Sequence, residues 1–462
     1  MLLKPLDAVW LLMESSQTPM HVGVLAVFRL PARASRNYLG SLAGKLRSAE
    51  PVAPWNLRLA DTSVGLLGQR LVEETDFDID YHFRHLALPA PGGERELGVA
   101  VSRMHSQALD RNRPLWEFHL IEGLERNRFA IYFKVHHALV NDVTGVPLIL
   151  SWLAEKPQTR PPTPPWAIPR DASGPAAPGQ AGSDDAQGPL ANPLAALNTV
   201  RRAGVGLLRN SFQRDTQSGY LLPRGAPRST LNRRINSQRR FATQQFSRAR
   251  IERLAEKADT TLSTILAYLC GSSLRRFFKE YNALPHESLI AALPVSLQER
   301  SETLSGNAIA GLRVPLGTHL GDPLHRLAVL KSAIAAVRKD RESLPAVAVT
   351  PYVLLSSTPL YMSQLPAVGA LVPPLFNLTV TSTPGPDEPR YCQGARLEAV
   401  YPLGQLMQYN ALSIDCVSYA GTLNIGFTGA RDTLPHLQRL AVYTGKAVEE
   451  LEGLLNLTGH AA

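Results

Sequence analysis

The sequence predicts a mixed α/β or α+β protein of two domains. Segments in which apolar residues alternate, as in strands, and segments in which they recur every three or four positions, as in helices, occur in both halves of the chain. Between the halves, the stretch from about Pro157 to Pro193 is rich in proline, glycine and alanine, which favours an extended or disordered linker. We therefore expect domains over residues 1–156 and 194–462, joined by a linker over residues 157–193.

The first half contains three predicted strands and two predicted helices. In chain order they are the strand Met20–Leu30, the helices Ser35–Ser48 and Val99–Leu109, and the strands Phe118–Ile121 and Phe129–Val135. The last of these strands has the clearest pattern, because its aromatic and aliphatic residues alternate with Ala130, Tyr132 and Lys134. A further helix is expected from about Thr144.

The second half contains four predicted helices and five predicted strands. The helices are Ala249–Lys257, Leu262–Tyr281, Leu324–Arg341 and Leu434–Leu455, and the strands are Leu289–Pro294, Ala308–Pro315, Asn377–Thr383, Ser413–Tyr419 and Thr422–Gly429. The apolar region Leu344 to Leu378 is interrupted by six prolines, which exclude a straight membrane-spanning helix. It could instead line a lipid channel, touch a membrane surface, or form buried helices.

Charge and cysteine content narrow the class of protein. The 48 basic and 39 acidic residues give a net charge of +9, an excess that favours anionic partners such as a phosphorylated cofactor or a lipid surface. The arginines concentrated between Arg201 and Arg240 form a basic stretch, which is usually a solvated face and argues only weakly for nucleic acid, so no nucleic-acid partner is expected. The three cysteines form no Cys-x-x-Cys pair, so neither a disulfide framework nor a zinc site is expected, and a reducing cytosol is favoured.

The pair His136–His137 is the strongest candidate for chemistry. It directly follows the strand Phe129–Val135, and continuing the alternation carries His137 toward the apolar face. An imidazole in an apolar setting stays neutral and can accept a proton near pH 7, which suits a general base. The alternative is that both are ordinary histidines at a strand end. A metal site on the pair and Asp142 would need further ligands at a recognisable spacing, and none stands out, so no metal is predicted.

The chain resembles the bacterial bifunctional wax ester synthase/diacylglycerol acyltransferase family. The resemblance rests on several motifs and covers nearly the whole chain except the linker. They are His136–Asp142, Arg113–Glu117, Glu14–Gly23 and Pro91–Leu97 in the first half, and Pro294–Ser296, Gly306–Asn307, Pro384–Pro386, Tyr391–Pro402 and Gly421–Leu434 in the second.

This resemblance implies two chloramphenicol-acetyltransferase-like domains with the active-site tunnel between them. It further implies that His137 takes the hydroxyl proton of a long-chain alcohol or diacylglycerol, while His136 supports it. The hydroxyl oxygen then attacks the thioester of acyl-CoA, and no acyl-enzyme forms. Acyl-CoA is a co-substrate, and no other cofactor is expected. We expect a cytoplasmic protein, with peripheral association at the inner membrane or lipid inclusions left open.

The resemblance also suggests residues that bind substrate. Trp116 is a family marker, for which packing in the core is preferred over a contact with substrate. Ser263 and Thr264 stand where the family has an Asn-Asp pair. Arg239 or Arg240 is a candidate for contacting CoA, against the alternative of two solvated arginines.

Further positions depart from the family pattern, among them Ser382, which stands where the family has an asparagine. The family's aspartate and arginine, expected to form a buried ion pair, are Asn141 and Gln298 here. We infer a neutral amide contact, because replacing both partners of a buried pair is nearly neutral whereas replacing one is costly. Non-additive effects of Asn141→Asp and Gln298→Arg on stability would support it. Asp142 replaces a glycine and adds negative charge near the base. A degenerate paralogue that binds acyl-CoA or lipid without turnover is therefore the alternative function.

Overall fold

The computed structural model describes residues 3, 5–60, 69–140, 142–158, 163–169, 225–296, 309–343, 359–365 and 368–457. Its strands are β1 (His21–Arg29), β2 (Leu57–Leu59), β3 (Leu71–Glu73), β4 (Phe83–Ala87), β5 (Trp116–Leu124), β6 (Arg128–His136), β7 (Arg239–Ser247), β8 (Ile290–Ser296), β9 (Ile309–Pro315), β10 (Leu378–Thr383), β11 (Tyr391–Cys392), β12 (Ala395–Leu403), β13 (Leu412–Tyr419) and β14 (Thr422–Ala430). Its α-helices are α1 (Pro5–Met13), α2 (Tyr38–Arg47), α3 (Ile79–His82), α4 (Glu94–Ser106), α5 (Asp142–Ser151), α6 (Arg248–Lys257), α7 (Leu262–Glu280), α8 (Pro323–Ser343) and α9 (Gln438–Leu454).

Within these ranges the strands form two six-stranded mixed sheets and a small β2–β3 ribbon. The first sheet has the order β11-β12-β1-β6-β5-β4, and the second has the order β7-β14-β13-β10-β8-β9. The first sheet thus includes two strands from the second half of the chain. Strand β12 pairs antiparallel with β1 from Gly23 opposite Leu403 to Arg29 opposite Arg396. The two halves are therefore joined through continuous backbone hydrogen bonding, while the domain boundaries at 157 and 193 stay a prediction.

Most predicted elements are confirmed, with shifted ends. The helix predicted over Val99–Leu109 begins earlier, because the Glu96 carboxylate accepts a hydrogen bond from the Gly93 backbone N–H at 2.9 Å and caps the first turn. The helix predicted over Leu434–Leu455 begins at Gln438. The helix expected from about Thr144 is α5, which begins at Asp142.

The prediction missed several elements, among them β4, β7, β12 and α1. Strand β7 has the sequence Arg-Arg-Phe-Ala-Thr-Gln-Gln-Phe-Ser, in which polar residues occupy both faces. It lies at the edge of the second sheet, where only one neighbouring strand covers it. Apolar alternation is the signal for a half-buried strand, so an edge strand with polar side chains does not show it.

An aromatic cluster forms the core on one side of the first sheet. The rings of Trp116 and Trp166 are stacked with centroids 5.3 Å apart, and Trp55 meets Trp116 edge-on at 6.3 Å. All three tryptophans are fully buried. Trp166 belongs to the segment predicted as a linker, so at least residues 163–169 of that segment pack against the first sheet. Within the described ranges, each helix is too short or too polar to cross a lipid bilayer.

Candidate active site

The histidine pair lies where β6 ends, between β1 and β5. His136 is the last residue of β6 and sits opposite His21 of β1. Its backbone N–H donates to the Leu115 carbonyl at 3.0 Å, and the backbone N–H of His137 donates to the Met20 carbonyl at 2.8 Å. Backbone bonds to both neighbouring segments therefore fix the direction in which the two imidazoles leave the sheet.

His137 is buried against an apolar wall. Its side chain packs against the indole of Trp10 from α1, with ring centroids 4.0 Å apart and the ring planes tilted by 34°. Leu11, Leu115 and Ala138 are buried in the adjoining apolar cluster. Burial and, to a smaller extent, the neighbouring His136 together lower the pKa of His137 to about 3. The imidazole is therefore neutral at physiological pH, as expected of a group that has to accept a proton.

His136 is oriented by contacts on both ring nitrogens. Its Nδ1 lies 3.0 Å from the backbone N–H of Ala138, which can only donate, so the proton of the neutral ring sits on Nε2. That Nε2 lies 3.6 Å from Oε2 of Glu14. Since Nδ1 is already occupied and Nε2 faces a carboxylate, His136 is placed to support the site.

Glu14 is a site residue that the sequence reasoning did not single out. Its Oε1 accepts from the Met20 backbone N–H at 3.1 Å, and Arg111 approaches Oε2 at 4.0 Å. Burial alone would raise the pKa of Glu14, but His136, the Met20 N–H and Arg111 outweigh it and leave the pKa lowered. A carboxylate thus stands behind His136. Glu14 opens one of the motifs that carry the family resemblance, which is the signal that could have found it.

A buried charged network lies on the same strand, two residues before His136. Nζ of Lys134 is 2.9 Å from Oε2 of Glu117 and donates to the carbonyls of Met104 and Gln107 at 3.2 and 3.0 Å. Burial would raise the pKa of Glu117, but hydrogen bonds to His119 and the Lys134 charge lower it to about 2. The alternation in β6 places Lys134 on the face opposite Phe129, Ile131 and Phe133, which a half-buried strand would leave to solvent. Helix α4 covers that face, so the charge is buried and paired instead.

Two further histidines lie between this network and the histidine pair. Nε2 of His21 donates to the His105 carbonyl at 2.9 Å, and Nδ1 of His105 lies 2.8 Å from the Tyr132 hydroxyl. Burial lowers the pKa of His105 to about 3 and that of His21 well below its usual range, and both rings are fully buried. Both are therefore neutral links between α4 and the strands that carry the site.

Helix α4 also joins the two halves beside the site. The Ser106 hydroxyl accepts from the backbone N–H of Arg239 at 2.8 Å, and the Ser102 hydroxyl accepts from that of Phe241 at 3.0 Å. The two serines are one helical turn apart and the two N–H groups are two residues apart, so a helix face matches the free edge of strand β7. We call these two contacts the serine clamp.

The other predicted site residues fall in different places. Arg239 is buried and its guanidinium donates to the carbonyls of Asn236 and Gln17, while Arg240 lines a cleft between the halves. Trp116 is fully buried in the aromatic cluster and its indole N–H donates to the Trp55 carbonyl at 2.8 Å, which supports the structural role preferred for it. Ser263 and Thr264 lie in the first turn of α7, where the Thr264 hydroxyl is 2.9 Å from that of Thr261.

The altered motif positions lie largely outside the described residues. Asn141 and Gln298 are not among them, and Asp142 is described only as the first residue of α5. The inferred amide contact between Asn141 and Gln298 therefore stays a prediction. In the described part of the chain, no three His, Cys, Asp or Glu side chains are grouped as metal ligands.

Two six-stranded sheets, the first of which includes two strands from the second half of the chain, together with a buried histidine pair at a strand end are typical of a chloramphenicol-acetyltransferase-like fold. The first condensation domain of the CDA synthetase has this fold: it is 16% identical, has a TM-score of 0.55, and the match covers 98% of this chain and 95% of that one. The chain belongs to the wax ester synthase/diacylglycerol acyltransferase family, whose catalytic-domain model matches residues 3–266 and whose C-terminal-domain model matches residues 305–452.

Relatives in this family match along almost their full length. A putative diacylglycerol O-acyltransferase of Mycobacterium tuberculosis is 39% identical over 479 residues, covering 97% of this chain and 96% of the relative. The O-acyltransferase WSD of Acinetobacter baylyi is 33% identical, covering 98% and 97%. The solved wax ester synthase/diacylglycerol acyltransferase from Marinobacter aquaeolei VT8 is 30% identical with a TM-score of 0.78, covering 99% and 100%. The predicted family and the predicted fold of two chloramphenicol-acetyltransferase-like domains are confirmed.

Proposed function

We propose that the protein transfers a fatty acyl group from acyl-CoA to the hydroxyl of a long-chain alcohol or of diacylglycerol, forming a wax ester or triacylglycerol. The observation that carries this proposal is the buried, neutral imidazole of His137, with His136 and the Glu14 carboxylate behind it. The family and the named activities of its relatives supply the reaction class.

In the proposed reaction, His137 takes the proton of the acceptor hydroxyl as its oxygen attacks the thioester carbonyl. The carbon–sulfur bond then breaks, and the CoA thiolate leaves with the proton from His137. Because burial makes a charged His137 costly, we propose that the proton passes on to the thiolate and the imidazolium does not persist. Glu14 and His136 act as positioning residues that hold the loop carrying His137.

Direct transfer is favoured because the cysteines are unsuited to form an acyl-enzyme. Cys270, Cys392 and Cys416 are all buried. Burial raises the pKa of Cys270 and of Cys392 to about 12, and it raises that of Cys416 as well. A thiol nucleophile reacts as its thiolate, which these groups do not form at neutral pH.

A CoA-release assay tests the proposal. Purified protein with acyl-CoA and a long-chain alcohol or diacylglycerol should release CoA, and His137→Ala should lose activity by about 100-fold or more, the usual contribution of a general base. The matched control is His286→Ala, since His286 is an exposed histidine away from the pair. Equal CoA release by the His137→Ala and control variants would contradict the mechanism. Binding of acyl-CoA without product over a panel of acceptors would instead identify a non-catalytic paralogue.

The acceptors also suggest where the protein works. Long-chain alcohols and diacylglycerol partition into lipid, so we propose that the protein meets them at the surface of the inner membrane or of lipid inclusions, with acyl-CoA as co-substrate and no other cofactor. The exposed Leu365 and Leu371, which fall in the apolar region noted in the sequence, support a contact with lipid. Co-sedimentation of the wild-type protein with lipid vesicles tests this.

A further inference from the structure

A cleft of about 920 Å³ opens between the two halves of the molecule. Helix α4 forms one wall, and strand β7 with helix α9 forms the other. The serine clamp closes its inner end, since Ser102, Ser106, Arg239 and Phe241 all belong to its lining. The volume is in the range of pockets that hold a cofactor-sized ligand.

The cleft carries an unusual excess of positive charge. Five arginines line it, Arg95 and Arg103 from α4, Arg239 and Arg240 from β7, and Arg431 after β14. The one acidic residue of the lining, Glu94, has its carboxylate 3.1 Å from Arg128, so its charge is already matched. Opposite charges normally accompany clustered arginines on a protein surface, and a described lining with five arginines and a single, already paired carboxylate favours an anionic ligand.

Four of these arginines are free to bind a ligand. In the described part of the chain, Arg95, Arg103, Arg240 and Arg431 make no ion pair with an acidic side chain. Nε of Arg240 is moreover buried and has no hydrogen-bond acceptor. A buried donor without an acceptor is costly, and a phosphate oxygen would satisfy it. Arg239 contributes charge alone, because its guanidinium is engaged with backbone carbonyls.

The lining also offers apolar surface between the charges. Val99 of α4 and Val442 of α9 are 42% and 53% exposed, and both face into the cleft. An exposed valine on each wall suits a flat apolar group, whereas inorganic phosphate would use only the arginines. The lining therefore matches a molecule that combines several phosphates with an aromatic base.

We propose that this cleft binds the nucleotide end of the acyl donor, the adenosine 3′-phosphate 5′-diphosphate of CoA. This proposal rests on the acyl-CoA-dependent function proposed above. The inner end of the cleft is connected to the histidine pair by neighbouring residues in the chain and by a hydrogen bond. Ser106 follows His105, whose carbonyl accepts from His21, and His21 is the strand partner of His136. The pantetheine arm would run from the cleft toward His137.

The test compares charge reversal in the cleft with charge reversal elsewhere. The cleft variant is Arg103→Glu with Arg431→Glu, at two exposed positions, one on each half. The control is Arg36→Glu with Arg253→Glu, also exposed and one on each half, which changes the net charge equally outside the cleft. Binding of CoA, dephospho-CoA and adenosine 3′,5′-bisphosphate is measured by calorimetry, and CoA release gives KM and kcat.

We expect the cleft variant to raise the Kd of CoA and the KM for acyl-CoA by about tenfold or more, equivalent to about 1.4 kcal/mol, with a much smaller change in kcat. Adenosine 3′,5′-bisphosphate should bind the wild type, and dephospho-CoA should bind more weakly than CoA. The control should bind all three as the wild type does. Unchanged CoA binding in the cleft variant, or an equal loss in the control, would overturn the proposal.

Three further outcomes separate this proposal from others. Loss of binding to phosphatidylglycerol vesicles, with CoA binding retained, would assign the cleft to lipid headgroups and overturn the nucleotide proposal. Wild-type protein that binds CoA through these arginines yet releases none from acyl-CoA would leave the cleft assignment standing and remove the proposed function. Normal turnover with an unchanged KM in the cleft variant would leave the proposed function standing and remove the assignment of the cleft to CoA.

Discussion

The two large sheets each bury a carboxyl group, and the pKa values of these two groups are shifted in opposite directions. Glu117 of the first sheet lies against Lys134 and His119, and its pKa is lowered to about 2 despite burial. Asp415 of the second sheet accepts hydrogen bonds from Thr381, Ser413 and the Gly404 N–H at 2.7, 2.8 and 3.1 Å, and burial raises its pKa to about 6. At similar burial, the presence of a cation decides the charge state.

The difference in pKa distinguishes the first sheet, which carries the histidine pair, from the second sheet. The first sheet holds a permanent ion pair below the site, and that pair also holds the carbonyls of Met104 and Gln107 at the end of α4. The second sheet holds a carboxyl that can be neutral near physiological pH. A buried ion pair is therefore a feature of the catalytic side of this molecule, where it fixes α4 relative to β6.

The largest expected effect comes from breaking the ion pair on one side. Glu117→Gln leaves Lys134 buried without an opposing charge, and we expect a loss of about 3–5 kcal/mol in the free energy of unfolding. Denaturant unfolding at neutral pH measures it. The double variant Glu117→Gln with Lys134→Met removes both charges and should lose less than the single variant. A double variant at least as unstable as the single one would show that the charge pair is not what stabilises the network.

A smaller effect with a distinct pH dependence is expected at Asp415. Its folded-state pKa is raised, so the folded protein binds the proton more tightly than the unfolded chain, and the resulting stability is present below about pH 4 and lost as pH rises through about 6. Asp415→Asn, which is neutral throughout, should remove that dependence. Relative to the variant, the wild type should be about 2–3 kcal/mol less stable at pH 8 than at pH 4.

Glu117 should show the opposite sign. Its folded-state pKa is lowered to about 2, so its contribution is present above about pH 4.5 and is lost as pH falls toward 2. Unfolding of the wild type and Asp415→Asn, followed from pH 4 to pH 8, isolates the Asp415 contribution, because both proteins carry the same Glu117 and its contribution cancels in the difference. A difference between the two proteins that does not change with pH would contradict the assignment.

The smallest effect is expected from the serine clamp between the sheets. Ser102→Ala with Ser106→Ala removes the acceptors of the Phe241 and Arg239 N–H groups at the wall of the open cleft, where water can replace them, and should cost about 0.5–1 kcal/mol for each bond. Thermal unfolding measures this cost, and hydrogen exchange at the two amides shows whether the edge of β7 opens. Ser41→Ala on the exposed face of α2 is a control for loss of a helical serine. Unchanged exchange at both amides would show that the clamp does not hold the halves together.

The sequence was most informative for strand β6, because the same segment contains the alternation of apolar residues and the histidine pair. The alternation in β6 correctly placed the histidine pair at a strand end and His137 in an apolar setting. It failed for Lys134, because the alternation shows which residues share a face and not whether a helix covers that face. Only the contact between α4 and the sheet turns Lys134 into a buried partner of Glu117.

Features formed by distant segments could not be predicted from local patterns. Glu14 comes from the segment before β1 and faces His136, 122 positions later in the chain. The cleft arginines come from α4, β7 and the end of β14, and no local spacing brings them together. Trp166 lies in a proline-rich stretch. Its burial depends on stacking against Trp116 of β5, a contact that the local sequence of the stretch does not indicate.

The pairing of β12 with β1 determines the order in which the protein can be built during synthesis. Until the ribosome has passed Leu403, β1 has β6 on one side and an open edge on the other, with unpaired backbone groups that attract other strands. The histidine pair is therefore made long before its sheet can be finished. A fragment that ends in the proline-rich segment would carry Trp10, Glu14 and His21 beside the pair and still expose that edge, so we expect it to aggregate rather than to work as a smaller enzyme.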